Sequence, residues 1–301
     1  MAVADWIRVA ILSLVWGGSF FFMEIMLQAV PPLTSVLGRL IVGLAGLVCL
    51  LKILGYPLKP LIQQWRPFAL IGLINNAIPF SLISFGQTEI TGSLASIINA
   101  LTPIMTALVA HQLTIDERLS LNKVIGIGLG FFGVLVLFGP AAIDGGASVL
   151  GMTAGFSATV CYAFGSVYSK RLRDNPPMLN ATGQVLYGSL WMLPIVVLID
   201  RPWDLSVPGL DPWLAMIGIG LLSTTLAFFI YFRVLQSAGA SNVVLVTFLV
   251  PLSASGLGIA FLDEQLALQH IIAYLLIVSG LTVIDGRIVA KVTKLRLKSH
   301  P

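Results

Sequence analysis

Apolar residues run along this chain in ten blocks of similar length, parted by short polar breaks. The blocks cover residues 7–28, 33–54, 67–87, 91–112, 121–138, 148–170, 180–199, 211–234, 240–262 and 267–285. A helix rises about 1.5 Å per residue, so about 20 apolar residues cross the roughly 30 Å hydrocarbon layer of a bilayer. Each block therefore predicts one transmembrane helix, and the fold class expected is an all-α polytopic membrane protein of ten spans. The first block follows Arg8 and continues through Trp16, Phe20, Phe21 and Phe22 with no small-residue cleavage site. It reads as an uncleaved anchor and not as a signal peptide.

The second half of the pattern echoes the first. Pro31-Pro32-Leu33 opens the second block and Pro176-Pro177-Met178 the seventh. Pro67 and Ile71-Gly72 of the third are answered by Pro212 and Ile217-Gly218 of the eighth. Leu101-Thr102-Pro103 is matched by Leu249-Val250-Pro251, Glu117-Arg118-Leu119 by Glu264-Gln265-Leu266, and Gly133-Val134-Leu135 by Gly280-Leu281-Thr282. Five matches in one order predict a duplication, with a first five-helix repeat at 1–140 and a second at 141–286. Five spans is an odd number, so the second copy enters the membrane from the opposite side. Inverted repeats of this kind make a pseudo-two-fold axis in the membrane plane, with a central site opened alternately to either side. The expected function is therefore a transporter working by alternating access.

Composition agrees with a membrane protein. Hydrophobic residues make up 57% of the chain and charged ones 10%, against about 25% charged in soluble domains. That excludes a soluble globular protein. With the N-terminus in the cytoplasm, ten crossings place 15 of the 17 Lys and Arg on the cytoplasmic side, counting a basic tail at 287–301. Only Arg201 falls opposite and Arg39 inside a span, so both termini are expected in the cytoplasm of an inner (plasma) membrane. The tail suits anionic lipid better than nucleic acid, and the bilayer is the expected partner of the surface.

Cys49 and Cys161 lie in different halves, and His111, His270 and His300 are scattered. No HExxH, no Gly-x-Gly-Asp and no P-loop occurs, so no metal, cofactor or catalytic residue is predicted, nor ATP-driven pumping by this chain. An intramembrane enzyme is the rival class; flux against turnover in proteoliposomes separates the two.

Trp16-Gly17-Gly18-Ser19-Phe20 resembles the Trp-Gly-x-x-Phe signature of the EamA family in the drug/metabolite transporter superfamily. Arg39 after Pro31-Pro32, the Leu101-Thr102-Pro103-Ile104 stretch and the paired Glu-x-Leu ends are similar to that family too. The resemblance implies ten spans in two inverted repeats and export of small metabolites, with the YddG-like amino-acid exporters as the nearest type. The second repeat departs from the first, with Gln184 where the first has Arg39 and Cys161-Tyr162-Ala163 near the place of Trp16-Gly17.

Polar residues at membrane depth are the candidate site. Trp16, Ser19, Asn75, Asn76, Asn99, Tyr162, Ser166, Thr224, Tyr231 and Thr247 are predicted to face a substrate. Amides, hydroxyls and rings suit a small amphipathic zwitterion such as an amino acid. They suit a phosphate poorly, since phosphate sites recruit Arg and Lys. Other metabolites or drugs are the alternative cargo. Two ionisable residues inside the spans, Glu24 and Arg39, are candidates for coupling or for attracting charge. Pro103 and Pro251 lie in mid-span, where each frees the carbonyl four residues back, Asn99 and Thr247. Both spans are expected to bend there and gate the cavity. The chain is expected to work as a monomer.

Overall fold

The computed structural model of the protein describes residues 2–114, 120–144 and 147–285. The basic tail and Glu117-Arg118-Leu119 thus lie outside the described residues. Among the described residues the chain forms helices and no strand. Ten of the helices are long and apolar: α1 Val3–Leu27, α2 Pro32–Ile53, α3 Trp65–Gly86, α4 Gly92–Leu113, α5 Leu121–Asp144, α6 Ala147–Ser169, α7 Pro177–Ile199, α8 Leu210–Ala238, α9 Ala240–Phe261 and α10 Leu268–Asp285. They follow the apolar blocks, because lipid supplies no partner for backbone N–H and C=O groups and a helix satisfies them internally. Pro32 and Pro177 stand at the first helical position of α2 and α7, where a missing N–H costs nothing. Thr91 caps α4 by accepting the Leu94 N–H at 3.3 Å.

Contacts at the helix ends fix an alternating, up-and-down path. At one end, the start of α1 meets the finish of α8, where Ser237 Oγ donates to Asp5 at 2.7 Å. Gln64 before α3 and Asn175 before α7 exchange amide hydrogen bonds of 3.2 and 2.8 Å. At the other end, Asp200 after α7 accepts both the backbone N–H and the hydroxyl of Thr34 in α2, at 2.8 and 2.7 Å. An even number of crossings leaves α1 to begin and α10 to finish at the same end.

Packing follows the duplication. Exchanging the repeats turns α1 into α6, α2 into α7, α3 into α8, α4 into α9 and α5 into α10, and the helix pairs in contact survive the exchange. Thus α1 packs on α9 as α6 packs on α4, α1 on α8 as α6 on α3, and α2 on α8 as α7 on α3. The α5–α10 and α2–α7 pairs map onto themselves. The molecule is two inverted five-helix repeats wound into one bundle.

The buried apolar residues form two cores. One gathers α4, α5, α9 and α10, with Ile98, Ile104, Val246 and Ile277 fully or almost fully enclosed. The other gathers α2 and α7, with Leu40, Leu47, Val185 and Val196. Four helices pass from one core to the other. Helix α1 gives Leu12 and Phe20 to the first and Met26 to the second, and α8 gives Ile219 to the second and Val234 to the first. Helices α3 and α6 divide likewise between Ile83 and Phe68, and between Met152 and Tyr168.

Three of the helices are not regular. Helix α3 carries a π-helical stretch, Leu73–Ala77, and α8 carries another, Leu221–Leu226. Leu73 and Leu221 each stand 30 residues before the matched prolines, Pro103 and Pro251. Helix α4 breaks at Ala100–Leu101 and restarts at Thr102, with Pro103 in the first turn of the new segment. Helix α9 runs unbroken through Pro251. The proline thus follows a two-residue interruption in one repeat, with Ala100 and Leu101 still at right-handed helical angles, and lies within a continuous helix in the other.

Candidate functional site

Between the two cores lies a cavity of about 330 Å³. Its walls come from both repeats, and the π stretches turn their polar residues into it. Asn75 and Asn76 of α3 and Ser223 and Thr224 of α8 all line it. A π turn is rare and recurs at functional sites, since one extra residue re-aims the side chains beyond it. Here it also frees hydroxyls to tie helices together. Ser223 Oγ donates to the Val15 carbonyl of α1 at 2.6 Å, and Thr225 Oγ1 to the Gly43 carbonyl of α2 at 3.1 Å.

Helix α1 supplies Trp16, Ser19, Phe20 and Met23 to the wall, all from one face. Gly17 makes this placement possible. A Cβ there would lie 2.8 Å from the Ala254 nitrogen and 2.9 Å from the Val250 oxygen, so α1 seats directly on the α9 backbone. Trp16 is then held against Tyr231, with ring centres 5.6 Å apart. Ser19 Oγ donates back to the Trp16 carbonyl at 2.6 Å. Across the cavity, α6 contributes Tyr162 and Ser166, and its Gly165 leaves the space that the Asn75 amide occupies.

Arg39 reaches the cavity from α2. Its guanidinium lies 4.0 Å over the Phe80 ring, and its Nε donates to Thr224 Oγ1 at 3.3 Å. It forms no ion pair among the described residues. The matched contact in the other repeat joins α7 to α3, where Asn75 Nδ2 donates to Gln184 Oε1 at 3.4 Å. The symmetry of position is kept, and the charge is on one side alone. Asn75 Oδ1 and Asn76 Nδ2 are buried with no hydrogen-bond partner. An acceptor and a donor are therefore both left unpaired, and such groups carry a desolvation cost of roughly 1–3 kcal/mol each.

The break in α4 also faces the cavity. Asn99, Ala100, Thr102 and Pro103 line it, and the Asn99 carbonyl, freed of its helical partner by Pro103, accepts the Thr102 hydroxyl at 2.8 Å. From α9, Thr247 and Val250 complete this wall. Pro251 and Tyr231 stand behind it and not on it, and Glu24 lies beyond one end of the cavity. The structure thus brings Trp16, Ser19, Arg39, Asn75, Asn76, Asn99, Pro103, Tyr162, Ser166, Thr224 and Thr247 around one space.

The apolar half of the wall is what sequence reasoning missed: Phe20, Met23, Phe80, Ile83, Phe228 and Val250, with the amides Gln87 and Gln184. The signal was helical spacing. Asn76, Phe80, Ile83 and Gln87 follow one another at steps of four, three and four along α3, and Thr224 and Phe228 at four along α8. Extending each polar position along its own stripe finds them. Of the cysteines, Cys49 is exposed and Cys161 half-buried, both free, and the described residues hold no cluster of three potential metal ligands.

Comparison with known proteins gives matches over the whole bundle. The model of the EamA-like transporter family matches twice, at residues 6–139 and 149–284. Protein PecM of Dickeya dadantii is 30% identical over 275 residues, 90% of this chain and 89% of its own. The uncharacterized transporter YvbV of Bacillus subtilis is 28% identical over 286 residues, 92% of this chain and 90% of its own. The uncharacterized inner membrane transporter YedA of Escherichia coli is 23% identical over 85% of this chain and 82% of its own. One solved crystal structure shares the fold, with a TM-score of 0.68 at 22% identity over 99% of this chain and all of the other.

Proposed function

The chain belongs to the EamA-like transporter family, and from that premise we propose that it exports small amphipathic zwitterions, amino acids foremost, by alternating access. The observation that carries the cargo is Arg39. It is a cavity cation with no acid partner among the described residues, on a wall that also carries the amides of Asn75 and Asn76. A substrate carboxylate pairs with Arg39, and its ammonium donates to the amide and hydroxyl oxygens of the same wall. The apolar side chain then packs among Trp16, Phe20, Met23, Ile83 and Phe228. The volume of about 330 Å³ sits at the lower end of ligand pockets, which run roughly 300–1,000 Å³. That favours a metabolite over a large drug. A single guanidinium also serves one carboxylate better than a doubly charged phosphate, which recruits several cations.

The division into repeats at 140/141, a monomeric working unit and cytoplasmic termini in an inner membrane belong to the same proposal. So does the role of the prolines. The broken α4 and the proline-bearing α9 are the hinges, because freed carbonyls at membrane depth are tolerated where a cavity meets them. Pro103→Ala restores the lost N–H and lets α4 close into one helix, so it slows transport more than Pro251→Ala does. Efflux per membrane-inserted protein reads this; wild-type rates in both single variants and the double variant contradict it.

The experiment for the function itself is counterflow in proteoliposomes loaded in turn with single amino acids. Uptake of labelled amino acid that depends on the loaded one is the expected result. Exchange of none of them, with the protein correctly inserted, removes amino acids as the cargo. Chemical conversion of a substrate without flux points to an enzyme.

A further inference from the structure

Beyond the cavity end remote from the N-terminus, two carboxyl groups meet at the start of α4. Glu24, near the finish of α1, accepts the Gly92 N–H at 2.7 Å. Glu264, on the segment after α9, accepts the Ser93 N–H at 3.2 Å and lies folded against Gly258. The first N–H groups of a helix have no partner within it and carry the positive end of its dipole, which suits one negative charge. Two carboxyls have come to it. Gly92 and Ser93 are adjacent, so the two carboxyls converge on neighbouring N–H groups of one helix end. Like charges brought onto neighbouring N–H groups favour one of the pair keeping its proton, and Glu264 is only 9% exposed.

The surroundings supply no cation instead. Among the described residues, the charged and titratable groups at this end of the surrounding elements are Arg39, Glu89, Asp200, Arg201, Asp204, Asp211, Asp263 and His270, of which Arg201 and Asp204 are exposed. Arg39 is engaged with Thr224 and Phe80, Asp200 accepts from Thr34, and Asp211 and Asp263 are exposed. Neither glutamate forms an ion pair among the described residues. A second observation points to a proton. Gln87 Oε1 and Ser93 Oγ are buried, 7% and 1% exposed by residue, and neither has a partner. The Gln87 amide and the Glu24 carboxyl flank Gly92 together, 3.2 and 2.7 Å from where its Cβ would be. An amide oxygen only accepts, so Gln87 Oε1 beside these carboxyls is a group that a carboxylic O–H would satisfy. Gln87 in turn lines the cavity and donates to the Phe20 carbonyl at 2.9 Å, which joins this cluster to the substrate wall.

We propose that Glu24 and Glu264 hold one proton between them and form a proton-operated latch, which clasps α1 and the α9–α10 segment to α4 and seals the cavity at this end. The step is a simple ionisation. A carboxyl–carboxylate pair gives its proton to water at this face and becomes two carboxylates, whose repulsion parts α1 from the α9–α10 segment. Taking the proton back closes the latch. The site has no twin. At the offset of the repeats, 145 to 148 residues, the positions answering Glu24 are Ser169, Lys170, Arg171 and Leu172, so a proton latch of this kind belongs to one end of the molecule. The proposal takes from the transporter reading only that the cavity opens, and its test needs no substrate.

Infrared spectra of the wild-type protein in lipid nanodiscs are expected to contain a carbonyl band of an un-ionised carboxyl at neutral pH. The band disappears in Glu24→Gln and in Glu264→Gln, because the remaining glutamate then ionises at the helix end. Its absence from the wild type overturns the proposal whether or not the variants fold. The opening is read by a membrane-impermeant maleimide on Ser93→Cys, in a Cys49→Ala, Cys161→Ala background, each rate divided by that of exposed Thr88→Cys to remove the thiol's own pH dependence. The ratio should rise several-fold from pH 6 to pH 8. It should lose that rise in Glu264→Gln and keep it in His270→Asn. A flat ratio in the latch-intact protein, or a rise that vanishes with His270 and survives without Glu264, overturns the latch.

Discussion

Arg39→Ala is expected to lower transport of a carboxylate-bearing substrate by about ten- to a hundredfold, through the loss of charge-assisted hydrogen bonds of roughly 1.5–3 kcal/mol at about 1.4 kcal/mol per factor of ten. The guanidinium has the cavity's positive charge to itself among the described residues, so no neighbour replaces it. Its place over Phe80 and its bond to Thr224 hold the fork still, so little order is lost when a carboxylate arrives. The deficit should be selective. Export of an amino acid falls, and that of the amine lacking its carboxylate does not. Arg39→Lys keeps the charge but loses the planar fork, and an intermediate rate is expected. Competition uptake with the acid, its amide and the corresponding amine measures this. Equal losses for all three would mean that Arg39 holds the helices and not the cargo.

Gly17→Leu is expected to remove both transport and much of the stability of the bundle. The contact is with backbone, not with a side chain able to swing away. A Cβ at position 17 would stand 2.6 Å from the Ser253 Cβ and closer than van der Waals distance to the Val250 oxygen and the Ala254 nitrogen. Overpacking at one methyl in a well-filled site costs about 1–3 kcal/mol, and a leucine has four heavy side-chain atoms to place. In lipid the association of helices depends on this close approach, because apolar burial between helices gains little over burial in acyl chains. Gly17→Ala should therefore lower the melting temperature of the detergent-solubilised protein by several degrees, and Ser253→Gly should restore part of it. The remaining loss comes from the α9 backbone, which no substitution removes. Wild-type melting and efflux in Gly17→Leu would contradict this account of α1 on α9.

The architecture was legible because lipid reduces the choice of structure to helices, and block length then counts them. The doublet Pro31-Pro32 and its partner Pro176-Pro177 marked the duplication for a similar reason, since proline is tolerated at the first turn and recurs there. The polar part of the cavity was legible because an amide at membrane depth has to face something other than acyl chains, and Asn75, Asn76 and Asn99 all do. The apolar wall was not, because a phenylalanine toward a substrate and one toward lipid look alike in composition. Phe80 lines the cavity, whereas Phe85, five residues on, is exposed on the bundle surface. Nor was the inequality of the two prolines legible. Pro103 follows Ala100–Leu101, where the α-helical hydrogen bonding is interrupted, and Pro251 sits in a continuous helix. Equal residues at equal places in two repeats do not carry equal backbone. Glu264 was legible as an echo of Glu117, but its meeting with Glu24 depends on the return of the chain after α9, which no local pattern encodes.

The π stretches set where this chain tolerates a change of length. Inside a helix each residue turns the rest by about 100° and shifts it by about 1.5 Å. Losing one residue from Leu73–Ala77 would close the stretch into an ordinary turn and rotate the remainder of α3, taking Phe80, Ile83 and Gln87 off the wall together. The same holds for Leu221–Leu226 and Phe228. The exposed turns at Gly55 and Gly209, with nothing within 4 Å of where a Cβ would stand, would absorb an inserted residue without moving any of these side chains. Insertions and deletions that keep the protein working are therefore confined to the loops, while each stretch keeps its own residue count, maintained by what the rest of its helix must face.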